Sequence, residues 1–286
     1  MSPIMLVTVG TSLFTSATWQ PQPELFPDTP DTGGLPSKIP NYDRFLKDHP
    51  PGNSPLNSPE ERLKADRDGR IREALVRRLT AGDLKDSARA WARVLPPGLA
   101  DATTLQAPMR FSAELSTILK LATTPSVWRE SSKTARDAVP VREFLRTYDA
   151  IYVVSDDPGA ENRESHVAAV HLAHYLNELA GAPELASVRT FRGLASLDPD
   201  HLTAGLRGLQ KFAYDLLLED CYLEVDFVLT GGYKLYSYLL TPLGHDRPGV
   251  RYVYLHDRAP ELVLLEGHSI KVGDASPLPL LYQEDL

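Results

Sequence analysis

The sequence predicts an α/β protein built on a doubly wound, mainly parallel sheet of about six strands, and three observations point there. Short continuous apolar runs recur along the chain, which is how strands buried on both faces read. Longer stretches between them carry apolar residues every three or four positions, which is how crossover helices read. The apolar runs end in polar turns, several bearing glycine, as strand-to-helix turns do.

The first strand is expected over residues 4 to 9, in "PIMLVTVGTS". From Gln20 to Pro59 the chain then carries ten prolines among scattered Gly, Asn, Asp and Ser, a composition no regular element tolerates, so a long surface excursion is expected. "SPEERLKADRDGRIREALVRRLTAG" follows, with a Ser-Pro-Glu-Glu start suited to a helix N-terminus and Ile71, Leu75, Val76 and Leu79 on one face. A second helix is expected in "LKDSARAWARVL". In "RFSAELSTILKLATT", Phe111, Leu115, Ile118, Leu119 and Ala122 fall at helical spacing and form a stripe to pack on a sheet. "KTARDAVPVREFLRTY" reads as a helix interrupted or started afresh at Pro140.

"DAIYVVSDD" repeats the first strand's theme, giving a second strand over about 150 to 154. The helix "ESHVAAVHLAHYLNELAG" places Ala168, Leu172, Tyr175, Leu176 and Leu179 on one face, with Gly181 as a stop. "ASVRTFRGL" is a weaker strand. "LDPDHLTAGLRGLQKFAYDLLLEDC" is a strong helix aligning Leu202, Leu206, Leu209, Phe212, Leu216 and Leu217. "DFVLT" as a strand, "YKLYSYLLTPLG" as a helix, and the strands "VRYVYLH" and "ELVLLEG" complete the pattern. The expected organisation is one domain over residues 1–286, with a Pro-rich and helical insertion over 20–105 after strand one, because a simple crossover would be far shorter.

A chain of 286 residues, 42% hydrophobic, can bury a sizeable core. No apolar run reaches the ~18 residues of a membrane helix and no basic leader opens the chain, so a cytoplasmic protein without membrane contact is expected. Thirty Lys+Arg against 38 Asp+Glu give a formal charge of -8, which opposes binding to long nucleic acid. A small phosphorylated ligand stays open, since backbone amides and one or two cations can hold it locally. The lone cysteine, Cys221, excludes an internal disulfide and reads as a small core residue.

Ligands of open parallel sheets bind beyond the carboxyl ends of the strands. Three such ends are polar here: "VGTS" (Gly10, Thr11, Ser12), "SDD" (Ser155, Asp156, Asp157) and "TGGYK" (Thr230, Gly231, Gly232, Tyr233, Lys234). In the last, glycine lets backbone approach a ligand, the next helix offers unpaired N–H groups, and Lys234 adds a point charge, a combination suited to phosphate. A plain strand-to-helix turn with a solvated lysine is the alternative. No Walker A loop and no G-x-G-x-x-G fingerprint occurs, so NAD or FAD is not expected, and no cofactor or metal is implied. His171, His174 and Glu178 lie at i, i+3, i+7, a spacing that could face a metal, but a polar helix face that also carries His166 is the expectation. Arg251 and His256 match a spacing seen in HEPN ribonucleases, yet in a strand their side chains point to opposite faces. No G-x-S-x-G context supports a serine hydrolase.

In order along the chain, "VTVGTSLF", "FSAELSTILKL", "YVVSDDPGAEN", "LTGGYKLYSYLL" and "VRYVYLHDRAPELVLLE" resemble the CRISPR-associated Rossmann-fold (CARF) proteins. The similarity is to the sensor domains of type III CRISPR ancillary ribonucleases and to stand-alone ring nucleases. It implies a Rossmann-like fold and a homodimer presenting its strand ends across a two-fold axis to a cyclic oligoadenylate, most often the tetra-adenylate. By matching motifs, Thr11, Ser12, Thr230, Gly231, Gly232 and Lys234 would line that site, with Ser155, Asp156 and Asp157 at its flank.

Ring nucleases of this class cut without a metal: a ribose 2′-OH attacks the adjacent phosphorus and leaves a 2′,3′-cyclic phosphate. Lys234, Thr11 and Ser12 would then supply charge stabilisation and orientation. About twenty residues follow the sixth expected strand, which leaves no room for an effector domain there. Residues 20–105 are expected to cover the ligand as a lid, with a solvated basic helix near 60–80 as the alternative. The expectation is therefore a ring nuclease that ends type III CRISPR antiviral signalling. A non-catalytic sensor that passes the signal to a partner protein, or a binder of another nucleotide, are the alternatives.

Overall fold

A computed structural model of the chain describes residues 3–10, 84, 88–89, 92, 98–105, 112–128, 139–158, 164–194, 196, 198–218, 224–230, 234–244, 247–255, 261–267, 269–272 and 278–279. Its centre is one sheet in the order β3-β2-β1-β4-β5-β6-β7-β8. The strands are β1 (Ile4–Thr8), β2 (Ala150–Ser155), β3 (Ala186–Thr190), β4 (Val225–Val228), β5 (Val250–Leu255), β6 (Leu262–Glu266), β7 (Ser269–Val272) and β8 (Leu278–Pro279). β3, β2, β1, β4 and β5 run parallel, and β6, β7 and β8 add on antiparallel.

Against the expectation of about six, mainly parallel strands, the described residues form eight, of which five run parallel, so the sheet is mixed rather than purely parallel. β7 and β8 escaped the sequence reading because "SIKV" is short and half-exposed, so it lacks the apolar run that marks a central strand. Gly267, at φ 53, occupies the turn between β6 and β7, a left-handed conformation that glycine adopts without a Cβ penalty.

Burial follows the two-residue period of a strand on both sides of the sheet. Met5 and Val7 of β1, Ile151 and Val153 of β2, and Val253 of β5 face one core; Ile4 and Leu6 of β1, Val225 and Phe227 of β4, and Val250 and Tyr252 of β5 face the other. The first core is closed by α1 (Ala113–Ala122), α2 (Val141–Leu145) and α3 (Glu164–Ala180), the second by α4 (Pro199–Leu218) and α5 (Lys234–Gly244). Every residue of β1 and β4 is buried because helices cover both faces there, which explains their unbroken apolar runs.

The helices end where their sequences say they should. Ser112 caps α1, accepting from Leu115 N at 3.2 Å, and Gly181 at φ 60 closes α3. α2 begins directly after Pro140, so the expected helix is started afresh there; its proposed earlier part lies outside the described residues. Of the expected insertion, Leu84, Ala88 and Ala92 are helical and buried, in line with a helix over "LKDSARAWARVL". Residues 11–83, Phe111 and Cys221 lie outside the described residues. Among the described residues no helix is long and apolar enough to cross a membrane.

One polar cluster crosses the first core. Asp226 and Arg251 are register partners on β4 and β5, and the guanidinium meets the carboxylate in a fork, at 2.8 Å (Nε to Oδ1) and 2.9 Å (Nη2 to Oδ2). Tyr148 donates to Asp226 Oδ2 at 2.6 Å, and Arg251 Nη1 donates to the Val127 carbonyl at 2.7 Å. Burial alone would ease loss of the Arg251 proton, but the Asp226 carboxylate overrides it and holds the group above its ordinary value. Arg251 is therefore committed to the fold; His256 lies outside the described residues.

Candidate functional site

The strands of the parallel half deliver their carboxyl ends to one edge of the sheet, where α3 and α5, following β2 and β4, begin. Helix N-termini and loop amides converge there, the usual place for an anionic ligand. Neighbouring strands within this half are β2, β1 and β4, so the three polar strand ends read from sequence become adjacent.

β1 ends at Thr8, whose hydroxyl donates to the Val228 carbonyl of β4 at 3.3 Å. Gly10, two residues on, donates its amide to Glu114 Oε1 at 2.8 Å. Glu114 stands in the first turn of α1 and is 1% exposed. Thr11 and Ser12 lie outside the described residues.

At the end of β4, Thr230 is half-buried and its hydroxyl has two partners. It accepts from Leu255 N, at the end of β5, at 3.0 Å, and it lies 2.7 Å from the hydroxyl of Thr117 on α1. Thr117 also donates to the Ala113 carbonyl at 2.7 Å. A hydroxyl has one proton, so with Thr117's spent on that carbonyl, Thr230 supplies the proton between the two. Gly231, Gly232 and Tyr233 lie outside the described residues; Lys234 opens α5, and its side chain likewise falls outside them.

At the end of β2, Ser155 and Asp156 are buried and Asp157 is half-buried. The Asp156 carboxylate serves the turn itself: Oδ1 accepts from Asp157 N at 2.7 Å and from Gly193 N at 2.9 Å, tying this loop to the one after β3. The Ser155 hydroxyl donates to the Asp156 carbonyl at 3.0 Å and lies 3.2 Å from His166 Nδ1. With its proton so placed, Ser155 accepts from Nδ1–H of His166. His166 thus belongs to the rim of this edge, on the first turns of α3.

The polar-face expectation for α3 fails at His171, which is fully buried. Its Nδ1 donates to the Val167 carbonyl at 2.8 Å, and burial lowers its pKa to about 4, so the ring is neutral. His174 Nε2 lies 3.1 Å from Glu178 Oε1, close enough for an ion pair but not aligned as a hydrogen bond. His171 faces the core while this pair is partly exposed, and among the described residues no group of three His, Cys, Asp or Glu side chains is placed to hold a metal ion.

Sequence reasoning missed Glu114 and Thr117 as parts of this edge. A glutamate in a first helical turn ordinarily reads as a solvated partner of the helix dipole. The available signal was "SAEL" itself, a cap followed by an acid ahead of an apolar stripe. Comparison with protein-family models and with curated proteins returns no match for this chain.

Proposed function

We propose that this chain is a ring nuclease of the CARF type, acting in the cytoplasm as a homodimer on a cyclic oligoadenylate, with the tetra-adenylate as its substrate. The observation that carries the reading is convergence. Gly10, Ser155 and Thr230, taken from three separate stretches of sequence, stand at the carboxyl ends of adjacent strands β1, β2 and β4. The strand order β3-β2-β1-β4-β5 with helices on both faces suits a Rossmann-like half-sheet, and its reversal between β1 and β4 falls between Gly10 and Thr230.

The chemistry asked of such a site is modest. A ribose 2′-oxygen forms a bond to the neighbouring phosphorus, the bond from phosphorus to the 5′-oxygen breaks, the 2′-OH proton leaves and the 5′-oxygen takes one up. The protein's part is to hold the 2′-oxygen in line and to stabilise charge on the phosphoryl oxygens. Backbone amides at the starts of α3 and α5 and the cation of Lys234 suit the second task; the hydroxyls of Thr11 and Ser12 suit the first.

Incubating the protein with cyclic tetra-adenylate in EDTA should give linear products ending in a 2′,3′-cyclic phosphate. A ring that stays intact through prolonged incubation with excess protein removes the enzymatic claim. Tight binding of an intact ring would make the chain a sensor instead.

A further inference from the structure

Two successive turns of one helix reach two of the three loops of the candidate site, those after β1 and β4. Glu114 of α1 takes the amide of Gly10 in the loop after β1, and Thr117, three residues on, takes the hydroxyl of Thr230 in the loop after β4. Thr230 in turn holds Leu255 N at the end of β5, so α1 bridges the carboxyl ends of three strands. α1 itself is held firmly: Leu115, Ile118, Leu119 and Leu121 are all fully buried in the first core. Glu114 at 1% and Thr117 at 0% exposure are buried polar groups, and burying a carboxylate is costly unless it is hydrogen-bonded.

A solvated first-turn acid would supply the same helix-dipole benefit without that cost. The geometry instead suits a clamp that fixes how far apart the two loops stand. We propose that Glu114 and Thr117 are positioning residues for the ring site, setting the spacing of the Gly10 and Thr230 loops so that both meet one ligand. This rests on the ring-nuclease reading. Neither residue takes part in the bond changes: Glu114 acts through the Gly10 amide and Thr117 through the Thr230 hydroxyl.

The test measures affinity for cyclic tetra-adenylate and its single-turnover cleavage in the wild type, Glu114→Gln, Glu114→Ala, Thr117→Ser and Thr117→Val, with the Tm of each showing that it is folded at the assay temperature. Glu114→Gln keeps an oxygen that accepts from Gly10 N and Thr117→Ser keeps the hydroxyl, so both should stay within about threefold of wild type, with the pH profile of cleavage unchanged. Glu114→Ala and Thr117→Val lose the contacts and should weaken ring affinity or cleavage by roughly tenfold or more. Alanine and valine variants that match the wild type overturn the proposal, and so does a Glu114→Gln as impaired as Glu114→Ala, which would mean that charge rather than loop placement matters.

Amide hydrogen exchange at Gly10 without ligand separates failure of the clamp from failure of the functional reading. Fast exchange in Glu114→Ala with protection kept in Glu114→Gln establishes the clamp whatever the ligand is. Equal protection in both overturns it. A wild type that binds no ring while Gly10 exchange follows this pattern overturns the ring reading and, with it, the role assigned to the clamp.

Discussion

His171 makes stability depend on pH in a way that can be calculated. Burial is the main cause of its lowered pKa, the Val167 carbonyl bond opposes the shift, and the nearby His174 adds to it. In the unfolded chain the imidazole titrates near 6.5; in the fold it titrates at about 4. Between those values the unfolded state binds more protons than the folded one, so stability is present above the unfolded pKa and is lost as pH falls through this window. From about pH 7 to about pH 5 the loss from this one group comes to about 2 kcal/mol.

Urea unfolding at a series of pH values isolates the effect when the wild type is compared with His171→Asn, which keeps a donor for the Val167 carbonyl but cannot take up the proton. The wild type should lose about 2 kcal/mol more than the variant over that range. Parallel curves would refute the reasoning, since they would mean that His171 accepts its proton in the fold as readily as in water.

Arg251→Leu leaves the Asp226 carboxylate buried without its cation and should cost about 3 to 5 kcal/mol in denaturant unfolding, with much of the loss recovered when Asp226→Leu is added. A single variant within about 1 kcal/mol of wild type would contradict the buried-pair account. Gly193 has φ 97, and a Cβ there would stand 2.2 Å from the His201 carbonyl oxygen, whereas Gly98 at φ 85 has open space. Gly98→Ala should therefore cost about 1 kcal/mol of backbone strain, and Gly193→Ala clearly more; equal losses in thermal unfolding would show that the clash is relieved for free. Lys234→Ala should slow ring cleavage more than it weakens ring binding; matched losses would make Lys234 an anchor for phosphate alone.

Of the eight strands among the described residues six were legible, five of them because burial on one or both faces selects apolar runs, as in "IMLVT" and "VDFV". The last two were not, because an edge hairpin needs few buried residues and "SIKV" shows it. Long helices were legible from their stripes, and all five residues named for the apolar face of α3 are buried. The ion pair was invisible for another reason. Asp226 and Arg251 lie 25 positions apart, and only the register of β4 against β5 brings them opposite.

The candidate site was legible in part for the same reason. Strand ends announce themselves by turning polar, so Gly10, Ser155 and Thr230 were read at the ends of strands, where the fold has them; what braces Gly10 and Thr230 arrives from α1, more than a hundred residues from either loop. Asp156 shows the limit from the other side. Its polarity marked a loop correctly, yet its carboxylate is bound to Asp157 N and Gly193 N, a use no local pattern reveals.

The central claim is that a cyclic oligoadenylate sits on the carboxyl edge of β2, β1 and β4. Amide hydrogen exchange with and without cyclic tetra-adenylate tests it most directly. Slowed exchange at Gly10, at Asp156 and Asp157, and at Leu229 and Thr230, with β6 and β7 unchanged, is the predicted result. Unchanged exchange at those amides under saturating ring, or protection confined to another face of the sheet, would contradict it.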